Sequence, residues 1–195
     1  DMETGTGAWF GRMAVGTGTA THVFTVANWG EGALDIGEVA FQGGDAEELE
    51  LLAAPSNSAV GPGETASLEI RFDPRKKGVR RTLLFVANSD PDDDPYALWL
   101  GGEGLQAEMR VLGTNRTWIA NGSAEPTLAT GADFGLCVSD PLRRRFAITN
   151  AGTDVLSLTG MPRVVIGGDH PGDFTVVQQP ADSVAPGAAV EFEIE

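Results

Sequence analysis

The sequence has little of what several functional classes require. It contains one cysteine, Cys137, in 195 residues, which excludes an internal disulfide and a zinc site built on cysteines. It has no apolar run of about 18 residues, so no segment is predicted to insert into a membrane as a helix. Lys and Arg total 13 against 28 Asp and Glu, a net charge of −15. So acidic a chain repels a phosphate backbone, and we expect no nucleic-acid binding.

Residues that carry catalysis are equally scarce. The two histidines, His22 and His170, lie in unrelated contexts, one in a β-rich run and one in a Gly-Asp-His-Pro-Gly loop. No Gly-x-Ser-x-Gly elbow, phosphate-binding loop or His-Glu-x-x-His motif occurs in the sequence. The sequence therefore predicts a protein that is not an enzyme, with no catalytic residues and no organic cofactor.

An internal repeat is the strongest positive signal. Phe24-Thr-Val-Ala-Asn28-Trp-Gly30 recurs as Phe146-Ala-Ile-Thr-Asn150-Ala-Gly152, and Val60-Gly-Pro62-Gly63 recurs as Val184-Ala-Pro186-Gly187. The offset between matched positions runs from 122 (24 to 146) to 125 (Pro55 to Pro180). Matches in the same order at a nearly constant offset indicate a tandem duplication.

Within each copy, apolar residues alternate with polar ones. Leu68, Ile70 and Phe72 alternate with Ser67, Glu69 and Arg71, and the second copy repeats the pattern from Val190 to Ile194. A period of two predicts strands with one buried face, and we expect Leu83 and Phe85 to face the same core. Short strands separated by turn-forming residues predict an all-β protein made of two tandem immunoglobulin-like antiparallel β-sandwiches.

The repeat also suggests domain boundaries. We expect a first sandwich over residues 1–104 and a linker plus a second sandwich over residues 105–195. Residues 1–8 are expected to be the tail of a preceding repeat, because Thr4-Gly-Thr-Gly7 resembles Gly102-Glu-Gly104. Glu195 corresponds to Arg71, so the second sandwich is expected to be truncated before its last two strands. The chain is thus interpreted as a fragment of a longer array or filament.

These motifs resemble a known family. Phe10-Gly11 and Phe134-Gly135 open the copies, the Phe-x-Val/Ile-x-Asn-x-Gly motif follows, Pro-Gly precedes the alternating strand, and Leu100-Gly-Gly-Glu-Gly104 closes the first copy. The pattern resembles the choice-of-anchor D domains of large secreted bacterial proteins, which are related to the ASH/Hydin group of β-sandwiches. The resemblance implies a secreted or cell-surface protein with a structural or adhesive role. The alternative is a carbohydrate- or protein-binding accessory module of a secreted enzyme.

One acidic loop is a candidate metal site. Asp90, Asp92, Asp93 and Asp94 are closely spaced, and calcium binds six to eight oxygen ligands of this kind. The alternative is a solvated turn whose Asp and Pro residues end the flanking strands. The sequence leaves both interpretations open.

Two further features are candidate partner-binding residues. Trp29 follows a predicted strand where the second copy has Ala151, and an exposed tryptophan suits a contact with another protein or a sugar. Arg143, Arg144 and Arg145 form a basic cluster in an acidic chain. Both features could instead serve the sandwich itself, as a cap on its open end and as charge on an edge strand. The expected partners are neighbouring repeats, other copies of the chain, and other surface proteins or glycans.

Overall fold

The computed structural model describes residues 8–56, 58–136 and 141–195. The predicted repeat tail at Thr4–Gly7 and Cys137 lie outside these ranges. The chain divides after Leu105 into two units, Asp1–Leu105 and Gln106–Glu195. Regular structure in the described ranges consists of strands and two 3-10 turns, Ala46–Glu48 and Pro171–Asp173. No helix formed by these residues is long and apolar enough to cross a bilayer.

The strands follow the predicted short β-rich runs. Those of the first unit are β1 (Trp9–Ala14), β2 (Ala20–Ala27), β3 (Leu34–Gln42), β4 (Leu49–Ala53), β5 (Ala59–Val60), β6 (Thr65–Phe72), β7 (Gly78–Asn88) and β8 (Tyr96–Leu105). Those of the second unit are β9 (Met109–Leu112), β10 (Trp118–Ile119), β11 (Arg144–Asn150), β12 (Leu156–Ser157), β13 (Val176–Gln178), β14 (Ser183–Val184) and β15 (Ala189–Ile194).

The first unit is a sandwich of two sheets. One sheet has the order β2-β6-β4 and the other the order β1-β8-β7-β3-β5. Apolar residues from both sheets form one core, which includes Phe10, Leu68, Ile70, Phe72 and Leu100. The predicted antiparallel arrangement is wrong for one pair, because β1 runs parallel to β8. These are the first and last strands of the unit, so no hairpin joins them and either direction is open to them.

The predicted register is confirmed for β6 and wrong for β7. Leu68, Ile70 and Phe72 are buried, as the alternation predicts. In β7, however, Thr82, Leu84 and Val86 are buried, while Leu83 and Phe85 are only half-buried on the other face. The core face accepts Thr82 because its hydroxyl donates a hydrogen bond to the Gln42 carbonyl, at 2.9 Å. With its hydroxyl hydrogen-bonded, a threonine can be buried in the core much as a valine can. The sequence pattern misled because Leu83 and Phe85 are more apolar than Thr82.

The second unit repeats the strand pairing of the first. Phe24 pairs with Leu68 across β2 and β6, and Phe146 pairs with Phe192 across β11 and β15. Likewise β5 pairs with β3 as β14 pairs with β12. The irregular register of β4 against β6 recurs in β13 against β15. The second core gathers around Phe146, Ile148, Val184 and Phe192.

The stretch predicted as a linker contributes to the second unit. Strands β9 and β10 form an antiparallel hairpin, and β9 pairs along β11. The sheet therefore has the order β10-β9-β11-β15-β13, beside the two-stranded sheet β12-β14. Val111 and Ile119 of the hairpin pack on the second core.

Candidate functional site

A buried asparagine at the end of the matched strand organises each unit. Asn28 lies just after β2, and its side-chain Nδ2 donates to the carbonyls of Gly32 and Val60, at 2.7 and 2.8 Å. Its Oδ1 accepts from the Gly30 N–H at 2.9 Å. Its backbone N–H donates to Glu64, and its carbonyl accepts from the Gly63 N–H. The side chain of Asn28 thus joins the strand end to the loop before β3 and to β5, and its backbone joins the strand end to the Pro-Gly turn before β6.

Asn150 makes the same bonds in the second unit. Its Nδ2 donates to the carbonyls of Asp154 and Val184, at 2.6 and 2.9 Å, and its Oδ1 accepts from the Gly152 N–H at 2.9 Å. A fourth bond is added, because Oδ1 also accepts from the Glu108 N–H at 3.1 Å. A side-chain amide has two donors and two acceptor positions, so Asn150 uses its full capacity. The sequence showed this asparagine as a repeated motif, but its role as a clamp was missed.

A cleft opens beside Asn28 in the first unit. Its volume is about 560 Å³. Apolar side chains from both sheets line its interior, among them Phe24, Val26, Leu34, Leu68 and Leu98. Trp29, Tyr96, Asp90 and Asp93 also contribute to its lining.

Trp29 is the most exposed of the aromatic residues at this cleft. It is 90% exposed, and Tyr96 is 53% exposed. The alternative interpretation of Trp29, as a cap on the open end of the sandwich, stays a prediction. Its placement beside an apolar cleft leaves the side chain accessible to another molecule, and partner binding at Trp29 stays a prediction.

The acidic loop between β7 and β8 is held by its own hydrogen bonds. The Asp94 Oδ1 accepts from the Asn88 N–H at 3.0 Å, and the Asp90 Oδ1 accepts from the Asp92 N–H at 3.1 Å. Asn88 Nδ2 also donates to the Asp93 carbonyl at 2.8 Å. Over residues 8–56, 58–136 and 141–195, no three His, Cys, Asp or Glu side chains are grouped so that they could hold a metal ion. Calcium binding by Asp90, Asp92, Asp93 and Asp94 stays a prediction without a preformed ligand set.

The arginine cluster is engaged within its own unit. Arg143 pairs with Glu195 at 2.6 Å, and Arg145 lies 3.5 Å from Glu191. The Arg144 guanidinium lies over the Phe134 ring, 5.3 Å from its centroid, a cation–π contact. Any acidic partner at Arg143, Arg144 and Arg145 would compete with these contacts, and partner binding there also stays a prediction.

A second charged group was missed by sequence reasoning. The Glu48 side chain is fully buried, and its Oε2 accepts from Arg80 Nε at 3.0 Å. Arg80 also pairs with Asp45, whose other carboxylate oxygen accepts from the Arg81 N–H at 2.8 Å. This group fastens the Ala46–Glu48 turn to β7. Arg80 lies on the same face of β7 as Thr82 and Leu84. Because the predicted register placed Leu83 and Phe85 on that face, no sequence signal pointed to this group.

Comparisons with known proteins agree with the immunoglobulin-like fold. Residues 8–101, nearly all of the first unit, match the family model described as HYDIN/CFA65/VesB-like, Ig-like domain. That match supports the ASH/Hydin-like part of the predicted resemblance. No curated protein sequence matches the chain.

Three solved structures are similar to the chain at low identity. The Vibrio cholerae VesB protease is 14% identical over 50% of this chain and 29% of its own, with a TM-score of 0.38. The secreted serine protease VesC of Vibrio cholerae is 10% identical over 95% of this chain and 44% of its own, with a TM-score of 0.42. A Porphyromonas gingivalis W83 protein of unknown function is 15% identical over 93% of this chain and 76% of its own, with a TM-score of 0.34. The chain thus spans less than half the length of either protease.

Proposed function

We propose that this chain is a non-catalytic repeat module of a secreted or cell-surface protein, where it joins neighbouring repeats or other copies in a structural or adhesive array. The proposal depends mainly on one observation: the same frame, meaning the paired strands together with the asparagine and the turns it binds, occurs in both units. Asn28 and Asn150 make matching hydrogen bonds to matching turns, at the ends of strands paired in the same register. Duplication of a frame built to hold strands and turns suits a module that is used in series.

The family match supports the coarser part of this proposal. Within the HYDIN/CFA65/VesB-like group that the first unit matches, we assign the two units to the choice-of-anchor D type. The Phe-Gly opening and the Asn-x-Gly motif occur in both copies, and the Leu100–Gly104 ending closes the first. The secreted or surface location rests on that assignment. An immunoglobulin-like fold alone does not define a function.

A second candidate has its own supporting observation. Trp29 and Tyr96 lie exposed at an apolar cleft, and exposed aromatic side chains bind sugars and proteins well. The matched family description includes VesB. The chain would then be a carbohydrate- or protein-binding accessory module of a secreted enzyme.

Sedimentation velocity and glycan binding separate the two candidates. An array module is expected to form larger species as the concentration of the chain rises, and to bind no glycan. An accessory module is expected to stay monomeric and to bind a glycan or protein through Trp29. Glycan binding that is lost in Trp29→Ala but kept in Trp118→Ala, a change at another exposed tryptophan, would contradict the array proposal.

A further inference from the structure

The outer edge of β2 differs from the matching edge in the second unit. Strand β2 is the end of its sheet, which has the order β2-β6-β4. Strand β11, which matches β2, has β9 paired along its outer edge from Ala147 to Asn150. In the part of the chain that the structure describes, no strand pairs with the corresponding residues Thr25 to Asn28. An open strand edge is a template for another strand.

Backbone directions show which groups this edge presents. The N–H and C=O of Asn28 bond to Glu64 and Gly63, on the β6 side. Since these groups alternate in direction along a strand, those of Thr25 and Ala27 point away from β6. In the second unit the same direction is used for pairing, and the Ala151 N–H donates to the Glu108 carbonyl at 2.7 Å.

Asn28 and Gly30 leave room for an added strand. Within the described residues, Asn28 Oδ1 accepts only from Gly30, whereas Asn150 Oδ1 also accepts from Glu108 at the start of the added segment. A Cβ on Gly152 would overlap the backbone of residues 106–108. Among the described residues, a Cβ on Gly30 would meet only the Asn28 side chain, at 3.2 Å. None of them fills, beside Gly30, the space that residues 106–108 fill in the second unit.

The cleft provides the apolar complement of this edge. In the second unit, β9 places Val111 opposite Ile148, and Val111 packs on the core. The residue that matches Ile148 is Val26, which lines the cleft of the first unit together with Phe24. An added strand with an apolar residue opposite Val26 would thus place that side chain in the cleft.

We propose that the β2 edge of the first unit binds an extended peptide strand, antiparallel to β2, of the kind that residues 106–112 form on β11. By the register of the second unit, its valine lies opposite Val26 and its next residue lies opposite Thr25. Main-chain hydrogen bonds supply affinity in such strand addition, and side-chain pockets supply selectivity. The inference deepens the proposed function, on which it rests, by naming the partner's chemistry.

The test is a titration of the ¹⁵N-labelled 195-residue chain with a synthetic peptide of residues 106–121. We expect saturable shifts at the Thr25, Ala27 and Trp29 amides and at the Trp29 indole. Intermolecular contacts should place the peptide valine against Val26. A peptide carrying Val111→Asp is expected to bind at least about tenfold more weakly, because a buried charge without a partner is costly.

Two variants of the chain test the edge itself. Thr25→Pro removes an outward N–H without breaking the ladder to β6, and proline is tolerated on such an edge. It is expected to weaken peptide binding by about tenfold, whereas Thr25→Ala changes it little. Should Thr25→Pro fail to fold, Gly30→Ala blocks the approach of the peptide and is expected to weaken binding as well.

Three results would overturn the proposal: no saturable shift, shifts confined to β11 and β9, or equal affinity in all variants. Saturable binding of a glycan in the cleft that competes with the peptide would assign the site to sugars instead. Failure here remains distinguishable from failure of the proposed function. A chain that self-associates but binds no peptide refutes only the strand site, and one that binds the peptide but never self-associates refutes the array.

Discussion

In the second unit, β9 pairs along the outer edge of β11, whereas no described strand pairs with the outer edge of β2 in the first unit. The two units share the rest of this arrangement. Both have the asparagine clamp, and in both the strand beside β6 or β15 pairs with an irregular register. In the described residues, the difference therefore lies at this strand edge. In the second unit, residues of the stretch before it pair along β11, and in the first unit the matching residues Thr25 to Asn28 border an apolar cleft.

The units also differ in how the short 3-10 turn is held. In the first unit, Arg80 on β7 holds the Ala46–Glu48 turn through the buried Glu48. In the second unit the turn Pro171–Asp173 is exposed. A buried carboxylate is retained only where a cation and hydrogen bonds compensate its loss of water. We conclude that strand β7 gives the first unit both core residues and the Arg80–Glu48 ion pair that holds the Ala46–Glu48 turn.

The largest expected effect is that of Arg80→Ala. The change leaves the buried Glu48 carboxylate without its cation, and removal of one partner of such a pair costs about 3–5 kcal/mol of unfolding free energy. Urea unfolding of the chain measures the loss. Arg81→Ala is the matched control, because Arg81 is exposed and bonds Asp45 through its backbone N–H, which the substitution keeps. Equal effects of the two changes would show that Glu48 does not depend on Arg80.

The asparagine clamps give the closest comparison between units. Both Asn28→Ala and Asn150→Ala leave buried carbonyls without donors, at a cost of about 1–3 kcal/mol each. We expect Asn150→Ala to cost more, because Asn150 also binds the Glu108 N–H. Chemical unfolding of both variants, with the exposed Asn121→Ala as the control, measures the difference. A change at either asparagine that leaves stability unaltered would contradict the clamp.

A smaller effect is expected at the two matched glycines. Gly152→Ala forces a methyl group into the backbone of residues 106–108, and overpacking of this kind costs about 1–3 kcal/mol. Gly30→Ala meets only one side chain and is expected to cost less. Melting temperatures of the two variants give the ranking. If Gly30→Ala is the more damaging, the space beside β2 is not open.

The smallest expected effect is that of calcium. Asp90 and Asp94 already accept hydrogen bonds from the loop backbone, so we expect equal melting temperatures with excess calcium and with chelator. Ion binding to the folded state would raise the melting temperature by linkage. A calcium-dependent rise that disappears in Asp93→Asn would establish the predicted site.

The sequence predicted the frame well because repetition and alternation are local patterns. The matched anchors located the same strands twice, and the alternation of Leu68, Ile70 and Phe72 gave their buried face. The β7 register was missed because Thr82 is a polar residue, which the alternation pattern assigns to the solvent face. In the structure its hydroxyl is hydrogen-bonded and the side chain lies in the core. The pairing of β9 with β11 was missed because a strand partner distant in sequence leaves no periodic signal of its own.

The candidate site was predictable only in part. Trp29 was identified by its contrast with Ala151, but its cleft depends on the separation of two sheets, which no local pattern encodes. Arg143, Arg144 and Arg145 were recognised as a basic cluster, whereas their contacts with Glu195, Phe134 and Glu191 required the fold.

Amide hydrogen exchange at the matched strands tests the central comparison most directly. The account predicts slow exchange for Val26 and Ile148, which face β6 and β15. It also predicts slow exchange for Ala147 and Thr149, which face β9, and fast exchange for Thr25 and Ala27 on the open edge. Addition of the peptide of residues 106–121 should then slow amide exchange at Thr25, Ala27 and Trp29. Thr25 and Ala27 amides already as protected as those of Ala147 and Thr149 would contradict the account.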